Sequence, residues 1–185
     1  MKKRIKKHID NKNYVKVYLA DDDGFNLTNF EGIIFDQNDK FIFMSDFKDF
    51  NFDGFVVAKK SDITEIKRTE KETFIDTIFQ KEGIKDAIIE KASLLNFKLG
   101  NFHEMFENLK KLGQAIIIER LYKGETVFQI GPVSKVEPKK VFIDYINAKG
   151  EYDLKPVTSK FKDITFIQFD NPYANMYFIY TRSID

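Results

Sequence analysis

The sequence predicts a mainly β chain with a helical insert, in which two small β-barrels are joined by a helical segment. Three observations carry this prediction. Short apolar runs with two-residue alternation recur toward both ends of the chain, separated by turn residues. Between them the apolar spacing changes to the three-and-four pattern of a helix. The later strand-rich part then echoes the earlier one at an offset of roughly 100 residues, which reads as a duplicated domain. The boundaries that follow are a basic N-terminal arm at 1–13, a first barrel at 14–68, a helical connector at 69–113 and a second barrel at 114–185.

The arm is basic and polar, a mobile segment or a short first helix. Val15, Val17 and Leu19 alternate with Lys16, Tyr18 and Ala20 and predict a strand, stopped by the turn Asp21-Asp22-Asp23-Gly24. Phe30–Phe35, Lys40–Met44, Phe55–Ala58 and Ile63–Ile66 predict four more. Five short strands with tight turns suit a small barrel, because closure removes exposed edges.

Thr69 and Glu72 have capping-box spacing: the hydroxyl accepts from the first turn while the carboxylate reaches back. Phe74, Ile75, Ile78 and Phe79 then share a helical face, with Gly83 as a stop. Ile84, Ile88 and Leu95 predict a second helix. Asn101 caps a third, with Glu104 three residues on, a core-packing stripe of Phe102, Met105, Phe106, Leu109 and Leu112, and Gly113 at its end.

Strands resume at Ala115–Ile118, Val127–Ile130, Lys140–Ile146, Leu154–Val157 and Ile164–Ile167, with a sixth at Met176–Tyr180. Asp62-Ile63-Thr64-Glu65-Ile66 recurs as Asp163-Ile164-Thr165-Phe166-Ile167. Phe30-Glu31-Gly32 has a weaker counterpart in the run from Phe128 to Gly131.

Charge and composition limit the chemistry. Lys and Arg number 30 and Asp and Glu 29 in 185 residues. Five basic residues (Lys2, Lys3, Arg4, Lys6 and Lys7) precede the first acid, Asp10, which leaves 25 against 29 and a net of −4 for the rest. A protein neutralising phosphates across a broad face is more basic than that. The absence of Cys excludes disulfides, thiolate zinc sites and Cys nucleophiles. No apolar segment follows the basic start, and no apolar run approaches the roughly 18 residues of a membrane span. A cytoplasmic protein that does not enter membranes is expected.

The order of these features resembles the Sm-like (LSm) small β-barrel family, or more generally SH3-like barrels. Alternating Val15, Val17 and Leu19, the acidic-Gly turn Asp23-Gly24, Gly32 in the second strand and the acidic loop Asp36-Gln37-Asn38 carry the first part. Gly54, Val56-Val57, Lys59-Lys60-Ser61 and Asp62-Ile63 carry the second. The resemblance covers 14–67, and 114–169 more loosely. It implies an RNA pocket in which Asn38 fills the role of the family's Asn, Lys59 or Lys60 the basic role, and Phe41 that of a stacking partner. Ser61 stands where the family pattern has Gly, and the second half has Ser159-Lys160-Phe161-Lys162 in that place.

Other chemistry is weak. Asp49-Phe50-Asn51-Phe52-Asp53-Gly54 has calcium-loop spacing, but Lys60 occupies the position that needs a bidentate Glu. Asp21-Asp22-Asp23 reads as a solvated turn, and His8 and His103 as surface residues. Nucleophile-elbow, phosphate-loop and dinucleotide patterns are absent. The expectation is a non-enzymatic binding or regulatory module without a cofactor or metal. It takes single-stranded RNA, with long-range attraction from Lys2, Lys3, Arg4, Lys6 and Lys7. The alternative is a protein-interaction or structural module, a homo-oligomer included, that uses aromatic surfaces or strand edges.

Overall fold

The basic start is a helix. The computed structural model describes residues 2–20, 28–122 and 125–181, and its first element is α1 (Lys2–Asp10), which buries Ile5 and His8 one turn apart while its lysines stay outward. Five strands follow: β1 (Tyr14–Leu19), β2 (Thr28–Gln37), β3 (Phe41–Lys48), β4 (Asn51–Lys59) and, after a 3-10 turn at Lys60–Asp62, β5 (Ile63–Lys67). The connector forms α2 (Glu70–Lys81), α3 (Ile84–Leu95) and α4 (Phe102–Leu112). The second series is β6 (Ala115–Tyr122), β7 (Glu125–Glu137), β8 (Lys140–Ile143) and β9 (Val157–Lys160). A 3-10 turn at Phe161–Asp163, β10 (Phe166–Phe169) and α5 (Pro172–Tyr180) complete it. The acidic turn Asp21-Asp22-Asp23-Gly24 lies outside the described residues.

The strands stand in the order β5-β1-β2-β3-β4-β10-β6-β7-β8-β9. The last five repeat the order of the first five, and the register repeats with them. Val15 faces Gly32 as Ile116 faces Gly131, and β2 and β7 each then slip register, between Ile34 and Asp36 and between Val133 and Lys135. A Cβ on Gly32 would stand 2.3 Å from the Ser45 carbonyl oxygen, and one on Gly131 2.0 Å from that of Asp144. Both second strands therefore need glycine where the chain of the third crosses close by.

The two closed barrels expected from the sequence do not form; the strands make one open antiparallel sheet. The cause is β10, which lies between β4 and β6 and pairs with both: Ile167 faces Val57 on one side and Ile118 on the other. With its outer edge taken by β10, β4 cannot close onto β5. With both edges used, β10 cannot receive β9. Among the described residues, the outer strands β5 and β9 each pair on one side only. Both are short, and β5 carries Glu65 and Lys67, which discourages stray pairing.

Central strands are buried on both faces, so they read as near-continuous apolar runs. Phe41, Phe43, Phe55 and Val57 join one core with Phe79, Ile88, Met105, Phe106 and Leu109 of the connector helices. Ile42, Met44, Val56 and Ala58 face the other way, against Ile5, Val15, Val17 and Ile66. A smaller core forms where Ala174 of α5 meets Ala115, Ile117, Ile130 and Ile146.

Local signals account for several helix ends. Both capping boxes form, at Thr69 with Glu72 and at Asn101 with Glu104, and Gly113 ends α4 at φ 64. The strand expected at Met176–Tyr180 is instead helix α5, started by Asn171, whose side chain accepts from the Ala174 N–H, and by Pro172 at the first helical turn. The calcium-like segment is the β3–β4 hairpin, turned by Asp49 and Phe50 at φ 47 and 67. His8, expected at the surface, is 8% exposed and lies 3.2 Å from the Asn13 amide.

Candidate functional site

The turn after β2 and the 3-10 turn after β4 meet because the Lys60 N–H donates to the Lys40 carbonyl (2.8 Å). The second series makes the same contact: the Phe161 N–H donates to the Lys139 carbonyl (3.0 Å). The β4–β10 seam sets these two pairs of turns side by side, with the start of α4 between them. A cleft of about 820 Å³ opens there, lined by Lys40, Lys59, Lys60, Phe102, Phe161 and Lys162 among others. An adjoining cavity of about 580 Å³ shares Pro138, Phe161 and Lys162 with it and adds Lys139, Lys140 and Lys160. Seven lysines thus stand against three acids, Asp39, Glu104 and Glu137. All three acids are engaged, Asp39 by Lys2 (2.9 Å), Glu137 by Lys135 (2.8 Å) and Lys140 (3.1 Å), and Glu104 by the Asn101 N–H (3.0 Å).

The apolar wall is aromatic. The Phe161 ring lies 5.6 Å from those of Phe102 and Phe106, nearly parallel to the latter. The Lys59 ammonium sits 5.7 Å from the Phe102 ring centre and donates to the Lys162 carbonyl (2.8 Å), which bridges the two series. The Lys60 ammonium donates to the Gln37 side chain (2.6 Å) and the Asn38 carbonyl (2.7 Å). Partial burial, with Lys2 nearby, holds its pKa below the usual lysine value, so an anion arriving there would favour its charged form.

The structure therefore brings Asn38, Phe41, Lys59, Lys60 and Lys2 to one region, where Asn38 and Phe41 are engaged in the fold itself. Asn38 holds the turn: its amide donates to the Leu99 and Gly100 carbonyls (3.1 Å each), and its oxygen accepts from the Lys40 and Phe41 N–H groups. Phe41 is 4% exposed and lies edge-on to Phe102 at 4.7 Å, in the core beneath the cleft. Of the basic start, Lys2 reaches Asp39. Arg4 donates to the Ile66 carbonyl and Lys6 pairs with Asp10 within the helix, while Lys3 and Lys7 are exposed on it. The side chains that sequence reasoning missed are Phe102, Phe161, His103 and Lys162. A signal existed in Lys160-Phe161-Lys162, an aromatic between cations at the place of Lys59-Lys60-Ser61 in the repeat.

Away from the cleft, Asp46 on β3 is 1% exposed. Burial pushes its carboxyl up to about 7; the Glu31 N–H and Lys48 oppose this and Asp53 adds to it. The native state then binds a proton more tightly than the unfolded chain. The stability this gives is fully present below the unfolded value near 4 and is lost as pH rises through 7. Asp46→Asn keeps the shape and cannot ionise. Its stability is expected to match that of the wild type near pH 4 and to exceed it at pH 8 by on the order of a few kcal/mol, read as a higher Tm by calorimetry. Burial raises Glu119 as well, so the difference between the two proteins isolates Asp46.

No group of three or more His, Asp or Glu side chains among the described residues could hold a metal ion. No helix among them is long and apolar enough to cross a membrane. No protein-family model, curated protein or solved structure matches the chain.

Proposed function

We propose that this chain is a non-enzymatic, cytoplasmic binding module that takes single-stranded RNA in the cleft between the paired turns. One observation carries the reading: seven lysines against three acids surround an aromatic wall, in a chain whose net charge is +1. Such a trough suits a phosphate backbone running over the lysines with a base against Phe161. The resemblance to Sm-like proteins supports the placement, since it puts the RNA pocket in these same two turns. The repeated order of strands supports a relationship to that family without closed barrels.

Fluorescence anisotropy with A-rich and U-rich RNAs of about ten nucleotides tests it. If about four phosphates are held, log K should fall against log salt with a slope of about −3. Lys40→Glu with Lys162→Glu, both exposed, should weaken binding about tenfold or more and flatten the slope by about 1.4. Deleting residues 1–13 is a poor test, because Ile5 belongs to the core. Lys3→Glu with Lys7→Glu separates the helix's charge from its packing. No binding at low salt and tens of micromolar protein, roughly the non-specific range, ends the reading.

The second reading, a protein-interaction module, has its own observation: among the described residues β5 and β9 each keep one unpaired side, onto which a partner strand can add. Mass measured by light scattering across a concentration series separates self-association from a monomer.

A further inference from the structure

A separate cavity, of about 490 Å³, lies between the β3–β4 hairpin and α2. Asp46, 1% exposed, is part of its lining. One carboxylate oxygen, Oδ1, accepts from the Glu31 N–H (3.0 Å), while Oδ2 is buried and has no hydrogen-bond partner. A buried acceptor left open calls for an explanation, because native proteins satisfy nearly all such groups. Two of its charged neighbours are already engaged. Glu31 pairs with Lys16 (2.7 Å) and accepts from the Tyr14 hydroxyl (3.4 Å), and Lys48 pairs with Asp53 (3.1 Å). The mouth is aromatic: Phe50 is 51% exposed at the hairpin tip and Phe74 66% exposed on α2.

We propose that this cavity binds a guanidinium group, with Asp46 Oδ2 accepting its N–H bonds and the Phe50 and Phe74 rings flanking its planar faces. Glu31, Asp46 and Asp49 in the lining turn away an anion. The described residues hold no cluster of metal ligands, which removes a divalent ion. A guanidinium is planar, weakly hydrated and stacks on aromatic rings while it donates to a carboxylate, whereas a primary ammonium is compact and strongly hydrated. The group can come from a free small molecule or from an arginine side chain of a peptide.

The charged and titratable groups around Asp46 and the cavity come from every packed element: Tyr14 on β1, Glu31 on β2, Lys48 on β3, Asp49 at the hairpin turn, Asp53 on β4, Lys71 on α2, and Glu72 beside Tyr14. Lys48 and Lys71 are the cations with which a ligand competes. Because the Asp46 carboxyl ionises near neutrality, binding should strengthen from pH 6 to pH 8.

Isothermal titration of the full chain tests the proposal with two guanidinium probes, agmatine and an N-acetyl Gly-Arg-Gly amide, and with putrescine as the amine control. At pH 8 and constant ionic strength, at least one guanidinium probe should bind one-to-one with Kd about 1 mM or tighter. Tighter agmatine points to a free ligand and a tighter tripeptide to a peptide side chain. Asp46→Asn should weaken binding at least about tenfold, and pH 6 at least about threefold. Phe50→Asn, with a side chain that tolerates the positive φ of the turn, should weaken it at least about threefold, the loss of a modest cation–π contact. Any of three results overturns the proposal: no saturable binding of either guanidinium probe, putrescine binding as tightly as both, or undiminished affinity in folded Asp46→Asn. If Asp46→Asn does not fold, undiminished affinity in Phe50→Asn decides against it in the same way.

Discussion

Phe55→Ala is expected to cost about 3–5 kcal/mol and to lower Tm by roughly 10 °C. Phe55 is fully buried in β4, and its ring centre lies within 5.1–6.0 Å of those of Phe52, Phe43, Phe169 and Phe35. Truncation leaves a cavity among aromatic rings that their own backbones hold apart, so the surroundings close it only in part. Phe55 also faces Phe169 across the β4–β10 seam. One continuous sheet implies that the wound spreads to both strand series and that the whole unfolding transition moves as a unit. Calorimetry checks this. A variant in which half the transition stays at the wild-type temperature would mean that the two series unfold separately.

Gly131→Ala is expected to be of similar size, about 3 kcal/mol or more. The new methyl would lie 2.0 Å from the Asp144 carbonyl oxygen, an obstacle of backbone, at a residue held at φ +150. Gly150→Ala supplies the control. Gly150 also has positive φ, +74, but nothing lies within 4 Å of an added Cβ. Its cost should be about 1–2 kcal/mol, the ordinary penalty of the left-handed region. Urea unfolding of both variants separates collision from backbone preference. Equal losses would show that the chain just after β8 does not cross β7 at the distance described.

How far the fold was legible in the sequence follows from the range of each interaction. The caps at Thr69 and Asn101 act within three residues, so their spacing announced α2 and α4 directly. The repeat was legible because Asp62-Ile63-Thr64 and Asp163-Ile164-Thr165 each lead into the last strand of a series. Barrel closure was not legible. It turns on whether β10 pairs with β9 or with β4, and the apolar pattern Phe166-Ile167-Gln168-Phe169 suits either partner. The end of the chain was misread because aromatic and β-branched residues at Met176–Tyr180 outweighed Asn171-Pro172, a start signal with a plain mechanism.

The cleft was half legible for a similar reason. Lys59 and Lys60 were found because they sit in a recognisable turn. That Asn38 holds this turn together depends on carbonyls at Leu99 and Gly100, about sixty positions away in the sequence. Phe161 acquires its place through α4 and the second series, which no local pattern specifies. Polar side chains in turns thus advertise a location more readily than a role.

Photocrosslinking with a uridine-rich RNA of about ten nucleotides that carries 4-thiouridine tests the central claim most directly, because it reports where the RNA lies as well as whether it binds. After digestion, mass spectrometry should find the crosslinks in the peptides that carry Lys40, Lys59–Ser61, Phe102–His103 and Lys160–Lys162, and Lys40→Glu with Lys162→Glu should diminish them. Crosslinks confined to the exposed face of α5 around Tyr173 and Tyr180, or none at concentrations that saturate a known RNA-binding control, would contradict the assignment of this cleft to RNA.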